Sequence, residues 1–505
     1  MRVTIMGLGL NGGGMESARY LALRGAECTV TDMKDEKTLL PSIEKLEALE
    51  GPHRPFRYVL GRHEMDDFSR ADMVIKNPGV PPHSPYLAAA RRIETDISLF
   101  LAASPARLTA VTGSKGKSTA TSAIHWVLQK AREASLFPGR AFLGGNITVS
   151  PLLFLDGLTA ADDVVLELSS WQLGDLRGRT RAGGTGALLK PRVAVLTAIM
   201  ADHQDRYGGM EAYVQDKRVI YQGQDKVDLT VASGGDPWGR SFLAESPGRT
   251  LPYFGHELSP GTAGGWIEPD SGAGMVRLPG ESPVEAVPAL LAVPGEHQKK
   301  NLLAAALALL DLGLPAPLVR NALGTFPGIE HRLEFFHQWK GIRFYNDTAA
   351  TIPEAAAAAV EAFAGTKLIL VSGGTDKNLD FSPLVRAAAK AQTVVLLAGT
   401  GSDKIALLLT QAGIPFQGPW DTVDAAAAAA LTAAVHATGT AGAMGTASAE
   451  PAAGTTPAET AAGKVVTVVL SPGCASFGMF KNEFDRGRRW KEAVIEAAAR
   501  ASHGY

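Results

Sequence analysis

The sequence predicts an α/β fold in three domains, and three observations carry that expectation. Short runs of Val, Ile and Leu alternate with Ala- and Leu-rich stretches along nearly the whole chain, the pattern of parallel sheets covered by helices. Two glycine-rich loops each follow an apolar run directly, one at the N-terminus and one beginning at Gly113. At 505 residues the chain exceeds what one hydrophobic core sustains, and about 100 to 200 residues per domain gives roughly three.

Taken in order, a strand over 2–6 leads through glycines into a helix over 15–24 and a second strand over 27–31 that ends in Asp32, one βαβ unit. An extended segment at 73–76 continues this first domain, residues 1–101. A second domain, 102–327, starts with a strand over 107–112, passes through the second glycine loop into a helix, and adds strands at 164–168 and 193–197. The third, 328–505, has strands at 342–345, 367–371, 393–397 and 465–470 separated by helices. Between its helix over 424–435 and its last strand, residues 438–463 are almost entirely Ala, Gly, Thr, Ser, Pro and Glu. That composition has little to pack, so the segment reads as a surface insertion.

Composition narrows the function. Lys and Arg total 49 against 51 Asp and Glu, a formal charge of −2, without the basic excess of a nucleic-acid surface. No apolar run reaches the roughly 18 residues that span a bilayer, and the N-terminal run reads as a buried strand rather than a leader, so a cytoplasmic protein is expected. Two cysteines, Cys28 and Cys474, form neither a disulfide framework nor a metal-spaced cluster.

Gly7, Gly9 and Gly12 form G-x-G-x-x-G after a strand, with Asp32 closing the next strand. Such a loop lets a diphosphate approach backbone N–H groups at a helix start. By itself it points to NAD or FAD as readily as to UDP, and a tight turn without ligand is the bland reading. The second loop carries more. Gly113, Gly116, Lys117, Ser118 and Thr119 lie between a strand and a helix; successive N–H groups there make an anion site, Lys117 can reach β- and γ-phosphates, and the hydroxyl of Ser118 or Thr119 can sit on Mg²⁺. Val111 occupies the place of the generic motif's first Gly, which argues against a motor-type ATPase. Glu167 ends an apolar strand, so its carboxylate emerges at a sheet's carboxyl edge, where it can complete a Mg²⁺ shell with Ser118. Alone it would be a solvated carboxylate, His203 a helix cap and Lys217 a surface lysine. Beside a phosphate loop, they are candidates.

The segment Thr112-Gly-Ser-Lys-Gly-Lys-Ser-Thr119 resembles the ATP loop of the Mur ligase family, in the spelling of its D-glutamate-adding branch. Further motifs follow in order. Gly144, Gly145, Asn146 and Ile147 resemble the family's G-N-I loop, and Leu166-Glu-Leu-Ser-Ser-Trp-Gln-Leu173 its L-E-L-S-S-F-Q-L segment. Asp202, His203, Asp205 and Arg206 match D-H-x-D-R, and Lys217 the lysine that the family carbamylates. Gly295, His297, Asn301, His331 and Arg332 resemble nucleotide-contacting elements. Asn346, Asp347, Thr348 and Thr351, then Gly373, Gly374 and Lys377, then 470–477, resemble the amino-acid and adenine side.

The resemblance implies a Rossmann-like first domain, a central P-loop ATPase-type sheet and a Rossmann-like third domain. It implies a cytoplasmic, monomeric ligase of peptidoglycan precursor synthesis that uses ATP and two Mg²⁺ ions. The carboxylate of UDP-N-acetylmuramoyl-L-alanine would attack the γ-phosphate, and the amine of D-glutamate would displace phosphate from the acyl phosphate. Lys117, Glu167, His203 and carbamylated Lys217 would be catalytic, with Ser118, Glu167, His203 and Lys217 on metal. ATP would meet Gly113, Ser114, Lys115, Gly116, Lys117, Ser118, Thr119, Asn301, Arg332 and Asp347, with His331 or Arg332 adding charge. The UDP-substrate would meet Gly9, Leu10, Asn11, Asp32, Asn77, Gly79 and Asn146, and the amino acid Thr351, Lys377, Ser476 and Phe477.

The chain departs from the family at Lys115 and Ala198, each commonly Asn, at Ala349, commonly Lys, and at Glu483-Phe484, commonly Phe-Glu. The last two bear on the added amino acid, so a related ligase adding another, such as L-glutamate, is the rival. A folate polyglutamate ligase lacks a use for the N-terminal glycine loop, an NAD-dependent dehydrogenase leaves the ATP loop unexplained, and a nucleotide-binding switch has no use for Glu167, His203 and Lys217.

Overall fold

The computed structural model describes the chain except residues 11, 50, 52, 54, 137, 148, 185, 201–206, 294, 440–464, 504 and 505. Asn11, His203 with its flanking Asp202, Asp205 and Arg206, and nearly all of the Ala-rich insertion therefore lie outside the described residues. Two compact units emerge, Met1–Leu290 with His297–Gly324, and Leu291–Glu296 with Thr325–Tyr505.

The first unit holds two sheets. Strands β1 (Arg2–Met6), β2 (Glu27–Asp32), β3 (Arg57–Leu60), β4 (Met73–Lys76) and β5 (Ile93–Glu94) pair in parallel in the order β3-β2-β1-β4-β5. Their apolar runs are continuous because helices cover both faces: Val3, Ile5 and Val30 pack on one side, Met6 and Val74 on the other. The second sheet comprises β6 (Arg107–Thr112), β7 (Ala141–Gly145), β8 (Asp163–Glu167), β9 (Val193–Leu196), β10 (Leu229–Ser233), β11 (Arg249–Tyr253), β12 (Gly264–Ile267), β13 (Gly274–Arg277) and β14 (Val284–Val287). Its order is β14-β13-β12-β11-β10-β9-β6-β8-β7. The helix Lys117–Glu133 covers it with Ala120, Ala123, Ile124, Val127, Leu128 and Ala131, spaced at three and four as one buried helical face requires.

Fold class α/β holds, with one addition. Strands β12, β13 and β14 are antiparallel and extend the parallel sheet beyond β11. Each has four residues and is flanked by turn residues, so the segment reads as loop in sequence. The second unit carries β15 (Glu334–Trp339), β16 (Ile342–Asn346), β17 (Lys367–Ser372), β18 (Thr393–Leu397), β19 (Phe416–Trp420) and β20 (Val466–Leu470), in the order β15-β16-β20-β17-β18-β19. Only the β15–β16 pair is antiparallel there. The last helix, Glu483–His503, buries Trp490 fully and ties it to the Tyr345 carbonyl at 3.2 Å.

Topology positions the sites. Strand order reverses at β1 in the first sheet and at β6 in the second, and ligands of open α/β sheets gather outside the carboxyl ends at such reversals. Both glycine loops leave from there. Among described residues no helix is long and apolar enough to cross a membrane.

The first loop is packed to its limit at Gly14. A Cβ on Gly14 would stand 2.2 Å from the Gly7 carbonyl oxygen and 2.6 Å from that of Leu8, whereas one on Gly13 would meet only Asp96, at 3.5 Å. Gly14→Ala is expected to lower stability by about 1 to 3 kcal/mol, because backbone must move. Gly13→Ala should melt within a few degrees of the parent. Thermal melting of the two variants side by side checks this; equal melting would show that the loop yields at no cost.

Candidate functional site

The N-terminal loop is braced by side chains expected at the UDP-substrate. Asp32 accepts the Gly9 N–H at 3.1 Å through Oδ2 and the Lys34 N–H at 3.0 Å through Oδ1. Asn77 donates from Nδ2 to the Gly7 carbonyl at 3.3 Å and accepts the Gly79 N–H at 3.1 Å. Gly7, at φ +91°, would put a Cβ 2.9 Å from that of Asn77, so the strand-end glycine is required by close approach as well as by backbone angle.

The second loop turns on two glycines. A Cβ on Gly113 would fall 1.9 Å from Thr197 Oγ1, and one on Gly116, the left-handed residue before the helix Lys117–Glu133, 2.2 Å from Asn301 Oδ1. Asn301, on the helix Glu296–Asp311, thus lies against the phosphate loop. The Ser114 and Lys115 N–H groups donate to the Ala198 carbonyl at 2.8 and 3.3 Å. Ser114 Oγ bonds the Met200 carbonyl at 2.8 Å and Tyr213 OH at 2.9 Å. The Lys117 ammonium folds over its own loop, donating to Gly113 O and Ser114 O, both at 3.0 Å.

A cleft of about 460 Å³ opens beside this loop. Lys117, Lys217, Asn77, Gly79 and Asn146 line it together, so it unites groups expected at ATP, metal and acceptor. Gly9, Leu10 and Asp32 stand at the same sheet edge but outside its lining. Lys217 is 1% exposed, donates to Gly113 O at 2.8 Å and places Nζ 4.4 Å from the centre of the Tyr213 ring. Glu167 closes β8, also 1% exposed. Its Oε1 accepts from Asn146 Nδ2 at 2.7 Å, while Oε2 is buried without a hydrogen-bond partner among the described residues. A buried, unpartnered carboxylate oxygen one strand from a phosphate loop fits a hard cation such as Mg²⁺, which takes one or two carboxylates and completes its shell with water and phosphate.

Asp96, Ser150 and Tyr213 line the cleft without a role expected from sequence, as do Trp171 and Gln172 of the L-E-L-S-S-F-Q-L-like segment. Tyr213 had a signal, since it lies four residues before Lys217 on one helix face. Across the loop is a second cavity of about 470 Å³, whose walls include Lys115, Gly116 and Asn301 with Ser233, Tyr253 and His297. Ser233 and Tyr253 end β10 and β11, strands whose sequences carry no recognisable motif.

In the second unit, loops after β16, β17 and β20, adjacent strands, meet at one edge. Gly473 N–H donates to Ala350 O at 2.8 Å, and Thr375 pairs with Ala475. Lys377 is exposed and holds Nζ 5.3 Å from the Phe477 ring centre. Ser476 is buried, and Thr351 is half-buried. Arg332 is exposed. Asp347 is buried and accepts from Ser471 Oγ at 2.7 Å and Leu333 N–H at 3.1 Å; burial pushes its carboxyl up to about 7. Arg486, unnoticed in sequence, is fully buried, with its donors on Thr348 Oγ1, Thr348 O and Cys474 O at 3.0 to 3.1 Å, among described residues none on a carboxylate. It clamps the Asn346–Thr348 turn to the Cys474 loop.

Comparison with known proteins extends over the whole chain. Residues 1–98 match the profile of the Mur ligase MurD-like N-terminal domain, 111–309 that of the Mur ligase middle domain, and 331–446 that of the Mur ligase glutamate ligase domain. The UDP-N-acetylmuramoylalanine–D-glutamate ligase of Treponema pallidum is 39% identical, with 97% of each chain covered. That of a Roseiflexus species is 36% identical over 98% of each. Among solved structures, the UDP-N-acetylmuramate–alanine ligase of Thermotoga maritima shares the fold, with a TM-score of 0.52 at 17% identity over 98% of this chain and all of that one.

Asp347 gives a pH test. Its folded value near 7 exceeds the ordinary carboxylate value of about 4. Between those values the folded chain keeps a proton that the unfolded chain has lost, so this residue's contribution to stability falls as pH rises through about 4 to 7. Melting temperatures measured from pH 5 to 8 should decline more steeply in the parent than in Asp347→Asn. Parallel curves would show that Asp347 titrates normally.

Proposed function

The chain belongs to the Mur ligase family, and on that premise we propose how its residues carry out the family's chemistry. It is an ATP-dependent, Mg²⁺-using ligase that adds D-glutamate to UDP-N-acetylmuramoyl-L-alanine, a carbon–nitrogen bond-forming step of peptidoglycan precursor synthesis and cell-wall biogenesis. The observation that carries the residue-level reading is the single cleft in which the phosphate-loop lysine, Lys117, shares a wall with Asn77 and Gly79 of the first sheet. It supports an acceptor whose UDP end lies at the first sheet and whose carboxylate reaches the phosphate loop.

A carboxylate is a poor acyl donor because oxide is a poor leaving group, and phosphorylation by ATP removes that obstacle. Lys117, at the N-terminus of its helix, would stabilise charge on the transferred phosphoryl group. Gly113 to Thr119 and Asn301 would hold the nucleotide. Glu167 and Ser118 would hold Mg²⁺, which supplies positive charge to the phosphate oxygens. Gly9, Leu10, Asn11, Asp32, Asn77, Gly79 and Asn146 would take the UDP-substrate. Functionally we divide the chain at 1–101, 102–327 and 328–505, for acceptor, ATP and amino acid. A UDP-linked substrate and ATP suit a cytoplasmic enzyme, and since one chain supplies every assigned group, a monomer suffices.

Specificity for D-glutamate would rest on Lys377 and Ser476, with Thr351 and Phe477 beside them. The exposed ammonium of Lys377, steadied over the Phe477 ring, suits a side-chain carboxylate. Phosphate release measured with D-glutamate, L-glutamate and D-alanine should favour D-glutamate strongly. Lys377→Ala should raise the KM for D-glutamate about tenfold or more, the weight of a charge-assisted contact, and leave that for ATP nearly unchanged. Equal turnover of a neutral amino acid would remove the assignment.

Lys217 would act as a carbamate. Its ammonium and that of Lys117 converge on the Gly113 carbonyl; like charges crowded there repel. Loss of a proton from the Lys217 ammonium, then CO₂ addition to the amine with loss of a second proton, would reverse its charge and supply oxygen ligands, with which His203 would hold a second Mg²⁺. Lys217→Ala is expected to lose most activity and to recover part of it when formate is added. Near-parent activity of the unsupplemented variant would refute the carbamate.

A further inference from the structure

The cleft contains one acidic group that the chemistry above does not use. Asp96 is 6% exposed and lines the cleft with Gly13, Asn77, Asn146, Ser150 and Lys217. It opens the helix Asp96–Ala103, and a carboxylate there is ordinarily explained by the positive end of the helix dipole. Here the helix start is already satisfied. Thr95 Oγ1 accepts the Ser98 N–H at 3.0 Å, and Ser98 Oγ accepts the Thr95 N–H at 2.8 Å, a complete capping box.

The two oxygens of Asp96 are unequally served. Oδ1 accepts the Ile97 N–H at 2.9 Å, whereas Oδ2 meets only the Ser150 hydroxyl among the described residues, at a long 3.2 Å. A Cβ on Gly13 would stand 3.5 Å from Oδ2, so the glycine keeps a side chain off that oxygen. An ionised oxygen accommodates two donors, and burying it with one long contact is costly. Burial accordingly holds this carboxyl above the usual carboxylate range.

We propose that Asp96 is a specificity-determining residue for the acceptor: its Oδ2 takes a hydrogen bond from an N–H or O–H donor in the uncharged sugar–lactyl–alanyl stretch of the substrate. A carboxylate repels both the diphosphate at one end of that molecule and the reacting carboxylate at the other, which leaves the amide N–H groups and sugar hydroxyls between them. The inference rests on the reading of this cleft as the acceptor site.

Calorimetric binding without ATP tests it, using UDP, UDP-N-acetylglucosamine and UDP-N-acetylmuramoyl-L-alanine against the parent, Asp96→Asn, Asp96→Ser and Ser150→Ala. UDP should bind all four within about twofold, while the full acceptor binds both Asp96 variants about tenfold or more weakly, as expected for loss of a charge-assisted contact. Ser150→Ala should stay near the parent, because it keeps the carboxylate. A loss shared by UDP-N-acetylglucosamine puts the donor on the sugar or its acetamido group; a loss confined to the full acceptor puts it on the lactyl–alanyl amide. Either supports the proposal. It is overturned if folded Asp96→Asn binds the full acceptor like the parent, if Ser150→Ala reproduces the loss, or if neither Asp96 variant folds. Asn77→Ala and Asn146→Ala separate the two levels: if they weaken acceptor binding while Asp96→Asn does not, only the Asp96 role falls. If none of them matters, the cleft reading falls too.

Discussion

The carbonyl oxygen of Gly113 is the point on which the cleft is built. It accepts from Lys117 and from Lys217, side chains that arrive from different helices. It can do so only because the loop runs hard against Thr197, where even a methyl group would collide. One backbone acceptor therefore fixes the separation of the two lysine nitrogens. Ser114 completes the anchor by bonding Met200 and the Tyr213 hydroxyl, so the ring that steadies Lys217 is itself held by the loop. Phosphate chemistry needs its polar groups preorganised rather than recruited, and this network holds both side chains in place before substrate arrives.

Much of this was legible in sequence, and for physical reasons. Strands such as Arg107–Thr112 and Thr393–Leu397 are buried on both faces, so their apolar runs are unbroken and their ends abrupt. The glycines at 113 and 116 are forced by contact, and contact of that kind leaves a fixed spelling. What was hidden follows the opposite logic. The strands β12 to β14 are short, antiparallel and interrupted by turns, and nothing in four residues distinguishes them from loop. Asp96 sits in an ordinary helix start, and only its burial, with one oxygen on a single long contact, marks it out. Ser233 and Tyr253 reach the second cavity through strand order, a long-range property.

The second unit solves its own version of the problem with a buried cation. Arg486 has no counter-ion within hydrogen-bond reach among the described residues, and desolvation brings its guanidinium down to about 10. It remains charged at neutral pH, with its donors spread over two carbonyls and a hydroxyl. Removing such a residue would strand those acceptors and release two loops at once. Its position in the last helix, far along the chain from Thr348, explains why the segment around it gives no hint of this role.

The edge strand β7 gives the cleft an uneven mechanical character. Among the described strands it pairs with β8 alone, whereas β6 and β8 are each held by two neighbours. Beyond its end, Asn146 carries the amide that occupies one oxygen of Glu167. Shifting Asn146 disturbs one ladder of hydrogen bonds; shifting Glu167 would disturb two. The wall bearing Asn146 is thus the compliant side of a cleft whose opposite side is rigid, and thermal fluctuation should concentrate there. Amide hydrogen exchange would register this as a gradient across neighbouring strands, with faster exchange in Ala141–Gly145 than in Asp163–Glu167.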